Sequence, residues 1–168
     1  GRHIEFFLKL NMKVYGTEIS KLQVKFLKNK TKIKNIFVSD FGKNIVNFKK
    51  KFDYVSVINS IYYEDESSIS NNINQMKEYT KADGTLILSF VGRKHYILKN
   101  AIKKGNSYRI INCVHGSINK SKIYVIRDAN HLKLFLKKLR LKIIEYGESI
   151  DKSKGSARHI FYFTCKKF

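Results

Sequence analysis

Two histidines and one arginine stand where they could do chemistry on a small substrate. His95 follows an apolar run in the segment GRKHY, and His115 lies in the segment CVHG. Histidine titrates closest to neutral pH, so each is a candidate general base. His95 ranks first because it directly follows a predicted strand. Arg127 is a candidate for holding an acidic group of the substrate. A packing or surface role is an equally weighted alternative for both histidines.

Strand and helix patterns alternate along the whole chain and must position these residues. The predicted strands cover residues 13–17, 35–39, 54–59, 85–90, 141–146 and 159–165. The predicted helices cover residues 4–10, 20–28, 67–79, 96–103 and 129–139. Such alternation implies right-handed crossovers and a mostly parallel α/β sheet that is covered on both faces. The last two strands are joined by a polar loop with no room for a helix, which predicts an antiparallel hairpin.

Three local signals refine this pattern. The β-branched run YVSVIN, from Tyr54 to Asn59, is typical of a strand that is buried on both faces. The pair Asp83-Gly84 predicts a turn. Ser67 and Ser68 are predicted to cap the helix that they begin.

Composition limits the classes of function. A chain of 168 residues with 43% hydrophobic residues predicts one domain over 1–168 with a real core. No apolar run reaches the ~18 residues of a membrane helix, so no membrane partner is expected. The two cysteines form no C-x-x-C pair, which favours a cytoplasmic protein. No cluster has metal-ligand spacing, so no metal is inferred.

The formal net charge of +21 makes nucleic acid a possible partner, since Lys and Arg neutralise phosphates. The excess is mostly lysine, however, and it is spread from Lys9 to Lys167. Lysines scattered in this way more often form a solvated surface than a binding patch. A small-molecule partner is therefore favoured over nucleic acid.

The order of motifs resembles the class I S-adenosylmethionine-dependent methyltransferases over essentially the whole chain. GRH before an apolar helix is similar to the end of the family's glycine-rich loop, and KVYGTEIS to its second strand. FDYVSVINSIYY is similar to the fourth strand and the loop that follows it. TKADGTLILSF resembles the turn and fifth strand, with Ala82-Asp83 in place of the usual Pro-Gly. The last 30 residues or so resemble the terminal strand pair.

This resemblance implies a Rossmann-like, mostly parallel sheet with an antiparallel terminal strand beside the fifth strand. It places Gly1 at the end of the glycine loop. The first strand and most of that loop are then expected to be absent, as in an N-terminally truncated methyltransferase that binds its cofactor poorly when isolated.

The resemblance also implies which residues contact the cofactor and the substrate. The cofactor, S-adenosyl-L-methionine, is expected to contact residues at strand ends: Gly1, Glu18, Ile19, Asp40, Phe41 and Asn59. In the family, the acid matched by Glu18 accepts hydrogen bonds from the ribose hydroxyls, and the acid matched by Asp40 lies next to the adenine amine. The substrate is expected to contact Ser60, Tyr62, Tyr63, Tyr96 and Arg127.

The leading hypothesis is methyl transfer to a small polar acceptor, either a metabolite or a sugar hydroxyl or amine. An RNA or protein methyltransferase is the alternative among enzymes. Methyltransferases of nucleic-acid bases carry [DN]-P-P-[YF] after the fourth strand, whereas this chain has NSIY from Asn59 to Tyr62. A non-catalytic, basic RNA-binding module is the alternative from another class. It would need aromatic side chains among the basic residues of one face.

Overall fold

The computed structural model describes residues 2–39, 46, 48–105, 107–110, 120–152 and 157–168. The chain forms two compact units, residues 1–49 and 50–168. The expectation of a single domain over 1–168 stays a prediction. Within the described residues, no helix is both long enough and apolar enough to span a bilayer.

The first unit, residues 1–49, contains two helices and a pair of parallel strands. Its elements are α1 (Arg2–Lys9), β1 (Gly16–Glu18), α2 (Lys21–Thr31) and β2 (Ile36–Val38). Ser20 caps α2, because its hydroxyl accepts the Gln23 N–H at 3.3 Å. Val24 and Leu27 of α2 pack on Ile36 of β2 to form a small core. Both strands therefore end on the same edge of this unit.

The second unit, residues 50–168, is built around one long central strand. Its elements are β3 (Phe52–Val57), α3 (Glu66–Tyr79), β4 (Thr80–Gly92), a 3-10 turn (Tyr96–Leu98), β5 (Ala101–Lys104), β6 (Ser107–Ile110), β7 (Lys122–Ile126), α4 (Ala129–Lys138), β8 (Leu141–Asp151) and β9 (Arg158–Lys167). Strand β4 pairs in parallel with β3 and β7, and antiparallel with β9. Strand β9 lies between β4 and β8. The predicted antiparallel terminal strand, beside the strand predicted at residues 85–90, is confirmed.

Aromatic side chains fill the core of the second unit. Phe90 of β4 stacks on Phe163 of β9, with ring centroids 5.6 Å apart, and meets Tyr124 and Phe135 edge-on. Cys165 of β9 is fully buried, and burial raises the pKa of its thiol to about 12. This thiol is therefore a packing group.

The predicted helix over 96–103 is wrong. Only the 3-10 turn Tyr96–Leu98 is helical, and β5 follows it and pairs antiparallel with β6. Gly105, at a φ of +59°, lies in the reversal between the two strands. The backbone of β5 forms its hydrogen bonds with β6. The spacing of apolar residues within one segment carries no information about hydrogen bonds to another segment.

The predicted turn at Asp83-Gly84 is a bulge inside β4. Pairing with β3 jumps from Phe52–Thr80 to Tyr54–Thr85. A Cβ on Gly84 would lie 2.9 Å from the Asp53 carbonyl oxygen, so glycine lets the two backbones approach closely. The Asp83-Gly84 pair therefore marks an irregularity within a strand and not a reversal of the chain direction.

Strand β3 is less buried than its β-branched run predicted. Tyr54 is 54% exposed. Among the described residues β3 is hydrogen-bonded along one edge only, by β4, so its side chains lack the flanking neighbours of a central strand.

The helix cap of α3 also differs from the expectation. Asp65, not Ser67 or Ser68, is the N-cap residue, because the helix begins at Glu66. The Asp65 carboxylate accepts the Ser68 N–H at 3.0 Å and the Ser67 hydroxyl at 2.8 Å. These bonds and Lys122 hold the pKa of Asp65 well below its usual range.

Candidate active site

A cavity of about 330 Å³ opens in the second unit where β3 and β4 end and β9 begins. Its lining residues are Asn59, Tyr62, Tyr63, His95, Tyr96, Ile97, Ser149, Asp151, Arg158, Ile160 and Tyr162. Small-molecule sites have volumes of roughly 300–1,000 Å³. In open α/β sheets, ligands bind at the carboxyl ends of the parallel strands. Both the size and the position of the cavity therefore suit a small ligand.

The cavity brings together five residues that the sequence singled out: Asn59, Tyr62, Tyr63, His95 and Tyr96. They come from the segments that follow β3 and β4, which are adjacent and parallel. Parallel pairing is the reason that they meet, because it brings the ends of both strands to one edge of the sheet.

Other predicted residues lie elsewhere. Ser60 is exposed beside the cavity, and its carbonyl accepts the Tyr63 N–H at 3.5 Å. Arg127 is exposed at the start of α4, where its N–H is donated to His131 Nδ1 at 3.2 Å, and it does not line the cavity. Glu18 and Ile19 belong to the first unit. Gly1, Asp40, Phe41 and His115 lie outside the described residues.

Asn59 is held in an unusual backbone conformation just after β3. Its φ of 56° lies in the left-handed region, which asparagine tolerates better than most residues. The Asn59 N–H is donated to the hydroxyl of buried Ser89 on β4, at 2.8 Å. Conformations of this kind persist where surrounding bonds impose them, often at functional sites. The neighbouring strand thus fixes the direction in which the chain leaves β3.

Tyr62 and Tyr63 form a ring pair on one wall of the cavity, with centroids 4.7 Å apart and planes tilted by 40°. The Tyr62 carbonyl accepts the Tyr124 N–H of β7 at 3.0 Å, which anchors the pair to the sheet. Burial raises the pKa of the Tyr62 phenol, so this side chain keeps its hydroxyl proton.

His95 lies on another wall of the cavity and caps the 3-10 turn. Its Nδ1 accepts the Ile97 N–H at 3.3 Å, and its ring stacks on Tyr96 with centroids 4.8 Å apart. Burial, followed by the charges of Arg158 and His159, lowers the pKa of His95 to about 4. The imidazole is therefore neutral at neutral pH, and because Nδ1 accepts, the ring proton is assigned to Nε2.

His159 supports the segment that carries His95. Its Nε2 bonds Glu148 Oε1 at 2.7 Å, and its Nδ1 accepts the Lys94 N–H at 3.1 Å. The ring lies so close to Gly92 that a Cβ on Gly92 would overlap it. Both nitrogens and one ring face are occupied, so His159 is a structural residue that holds residues 92–95 in place.

The sequence interpretation missed four polar residues of the cavity: Ser149, Asp151, Arg158 and Tyr162. Residues 147–158 were predicted to be a loop, whereas β8 continues to Asp151 and β9 begins at Arg158. Register places Asp151 opposite Arg158. The apolar residue Ile150, which continues the alternation beyond Tyr146, was the signal that could have extended the strand.

In the first unit, Glu18 ends β1 with a fixed carboxylate. Its Oε1 accepts the Ser20 N–H at 3.0 Å, and its carbonyl accepts the Ser39 N–H at 3.0 Å. A carboxylate held at the end of a parallel strand pair can also accept hydrogen bonds from a diol.

No protein-family model matches the chain, and no curated protein matches its sequence. Solved structures do match it. A methyltransferase from Methanosarcina mazei, described as S-adenosylmethionine-dependent, aligns with a TM-score of 0.69 and 15% identity, over 96% of this chain and 86% of that one. The chain has the fold of class I methyltransferases.

Two further structures extend this methyltransferase likeness. An S-adenosylmethionine-dependent methyltransferase from Clostridium acetobutylicum aligns with a TM-score of 0.64 and 11% identity, over 93% of this chain and 75% of that one. The 1,6-didemethyltoxoflavin-N1-methyltransferase of Burkholderia thailandensis, solved with 1,6-didemethyltoxoflavin and S-adenosylhomocysteine, aligns with a TM-score of 0.71 and 12% identity, over 99% of this chain and 66% of that one. At such identities the likeness is one of fold.

Proposed function

We propose that this chain transfers a methyl group from S-adenosylmethionine to a small acceptor that is bound in the cavity of the second unit. The observation that carries the proposal is the position of that cavity within a methyltransferase fold. It lies at the carboxyl ends of β3 and β4 and is lined by Asn59, Tyr62, Tyr63, His95 and Tyr96. The matching methyltransferases support the proposal through their shared fold.

Glu18 is proposed to hold the ribose of the cofactor. Its carboxylate is already oriented by the Ser20 N–H, so accepting hydrogen bonds from two hydroxyl groups would require little reorganisation. Gly1, Ile19, Asp40, Phe41 and Asn59 stay predicted cofactor contacts. When bound, the cofactor would supply the activated methyl group.

The contribution of the chain to catalysis is then to bind and orient the acceptor. In-line displacement at an activated carbon is accelerated chiefly by holding the two reactants in the correct geometry. The Tyr62–Tyr63 and His95–Tyr96 ring pairs form firm walls for this purpose. The prediction that His95 or His115 acts as a base is untested.

The size and lining of the cavity favour a small, polar acceptor. The space of about 330 Å³ lies at the lower end of the usual range, and hydroxyl, amide, imidazole and guanidinium groups line it. The solved methyltransferases of this fold act on varied molecules, including 1,6-didemethyltoxoflavin and a glycopeptide. The acceptor must therefore be inferred from the cavity of this chain.

The test of the cofactor assignment is calorimetry with S-adenosylhomocysteine on the protein translated from the complete reading frame. Glu18→Ala should weaken binding by ~1–3 kcal/mol, because hydrogen bonds to a charged group are lost. Glu5→Ala is the matched control in the same unit, since it removes an equal charge from a residue whose ion pair with Lys30 lies at the surface.

Equal affinities in Glu18→Ala and in the control would contradict the assignment. An absence of S-adenosylhomocysteine binding by the complete protein would overturn the proposed function as a whole.

A further inference from the structure

His95 has the geometry of a hydrogen-bond donor to the cavity. Nδ1 is occupied by the Ile97 N–H, so Nε2 carries the proton of the neutral ring. No group among the described residues bonds Nε2, although the ring lines the cavity. We infer that His95 donates this N–H to an oxygen of the acceptor, and that the acceptor is an aromatic hydroxyl compound bound as its phenolate. This inference rests on the proposed function and names the substrate class of the same site.

The protonation state of His95 argues against proton removal by this residue. Burial and the nearby charge of Arg158 lower the pKa of the imidazole to about 4, so it is a poor proton acceptor at neutral pH. The acceptor must then arrive with its nucleophilic oxygen already ionised, or nearly so. Acidic aromatic hydroxyls meet that requirement, whereas sugar hydroxyls do not.

Arg158 supplies a positive charge at the cavity that an anion could use. Arg158 lines the cavity and lies close enough to His95 to affect its titration. Asp151 is the one carboxylate among the described lining residues, and β-sheet register places it opposite Arg158. A guanidinium has five N–H donors, so it can serve both a neighbouring carboxylate and a bound oxygen anion.

The walls of the cavity suit a planar molecule. Aromatic rings come from Tyr62, Tyr63, His95, Tyr96 and Tyr162. Two of the ring pairs have centroids 4.7 and 4.8 Å apart, so each presents a rigid aromatic surface. Rings of this kind pack favourably against other rings in offset or edge-on arrangements.

The probe for this inference is 4-nitrophenol, whose absorbance distinguishes the phenol from the phenolate. Titration at pH 6 without any cofactor should show saturable binding and an increase in the ionised fraction. His95→Asn should weaken binding less than His95→Asp does, because its shorter amide still accepts the Ile97 N–H and keeps an N–H donor. His95→Asp keeps the acceptor but loses the donor and adds a negative charge, so it should bind at least about tenfold more weakly.

Arg158→Gln should also weaken the binding of 4-nitrophenolate. Arg109→Gln is the matched control, because Arg109 lies exposed on β6 and outside the cavity. A second readout is the ¹⁵N spectrum of histidine-labelled protein. The His95 ring should have its proton on Nε2 and should remain neutral down to pH 5.

The inference is overturned by an absence of saturable binding, by binding with no increase in the ionised fraction, or by equal losses in His95→Asn and His95→Asp. A titration midpoint above pH 6 for His95 would overturn it as well. None of these measurements uses the cofactor, so the outcome is separate from that of the S-adenosylhomocysteine test.

Discussion

His95 and His159 lie near each other at the end of β4, and their bonding differs at a single nitrogen. In each ring Nδ1 accepts a backbone N–H, from Ile97 in one case and from Lys94 in the other. Nε2 of His159 bonds Glu148, whereas Nε2 of His95 has no bonding partner in the described part of the chain. Both side chains are buried, at 8% and 2% exposure.

The difference shows how one residue type can serve structure in one place and binding in another. A histidine whose two nitrogens are both bonded by the protein stabilises the fold, but has nothing left to offer a ligand. A buried histidine with one nitrogen that the described residues do not bond contributes less to the stability of the fold. That nitrogen is then a polar group that a ligand can bind. Substitutions at the two positions should therefore separate stability from binding.

The largest effect is expected for His159→Ala. The Lys94 N–H and the Glu148 carboxylate lose their partner, and a buried ring is removed. The free energy of unfolding should fall by ~2–4 kcal/mol, measured by urea denaturation. His95→Asn is the comparison variant and should change stability far less, since asparagine is a good helix-cap residue. If His159→Ala lowered the free energy of unfolding by less than ~1 kcal/mol, His159 would not be a residue that stabilises the fold.

A smaller effect is expected for Gly92→Ala. The new methyl group would overlap the His159 ring, and overpacking of this kind costs ~1–3 kcal/mol in unfolding free energy. Gly147→Ala is the matched control, because no atom lies within 4 Å of a Cβ placed there. In the double variant with His159→Ala the two losses should not add, because the ring that the methyl group strikes is gone. Additive losses would show that Gly92→Ala does not destabilise the protein through overlap with the His159 ring.

The smallest effect concerns acid. The pKa of His95 is about 4 in the folded chain against an ordinary value of 6.5, so the unfolded chain binds more protons between these values. Stability is therefore full above pH 6.5 and is lost as the pH falls towards 4. Between pH 7.5 and 5.5 the loss should be about 1 kcal/mol larger in the parent protein than in His95→Asn, which does not titrate. Equal losses in the parent protein and in His95→Asn, measured by urea denaturation at both pH values, would show that His95 titrates normally.

Much of the fold was predictable because the relevant signals are local. Helix α4 and strands β4 and β9 were found from the spacing of their apolar residues, and the antiparallel terminal strand followed from their order. The 3-10 turn at Tyr96–Leu98, and the hairpin after it, were missed. That segment takes its conformation from pairing with β6, and pairing energy does not appear in the periodicity of one segment.

The sequence by itself determined which side chains follow β3 and β4, and so placed Asn59, Tyr62, Tyr63, His95 and Tyr96 at one edge of a parallel sheet. Only the tertiary structure decided which nitrogen of His95 is hydrogen-bonded within the protein and that Arg158 lies nearby. The physical reason is distance along the chain. Strand order can be inferred from neighbouring residues, whereas the pKa of the His95 ring depends on its burial and on the charges of Arg158 and His159, which are more than 60 residues away along the chain.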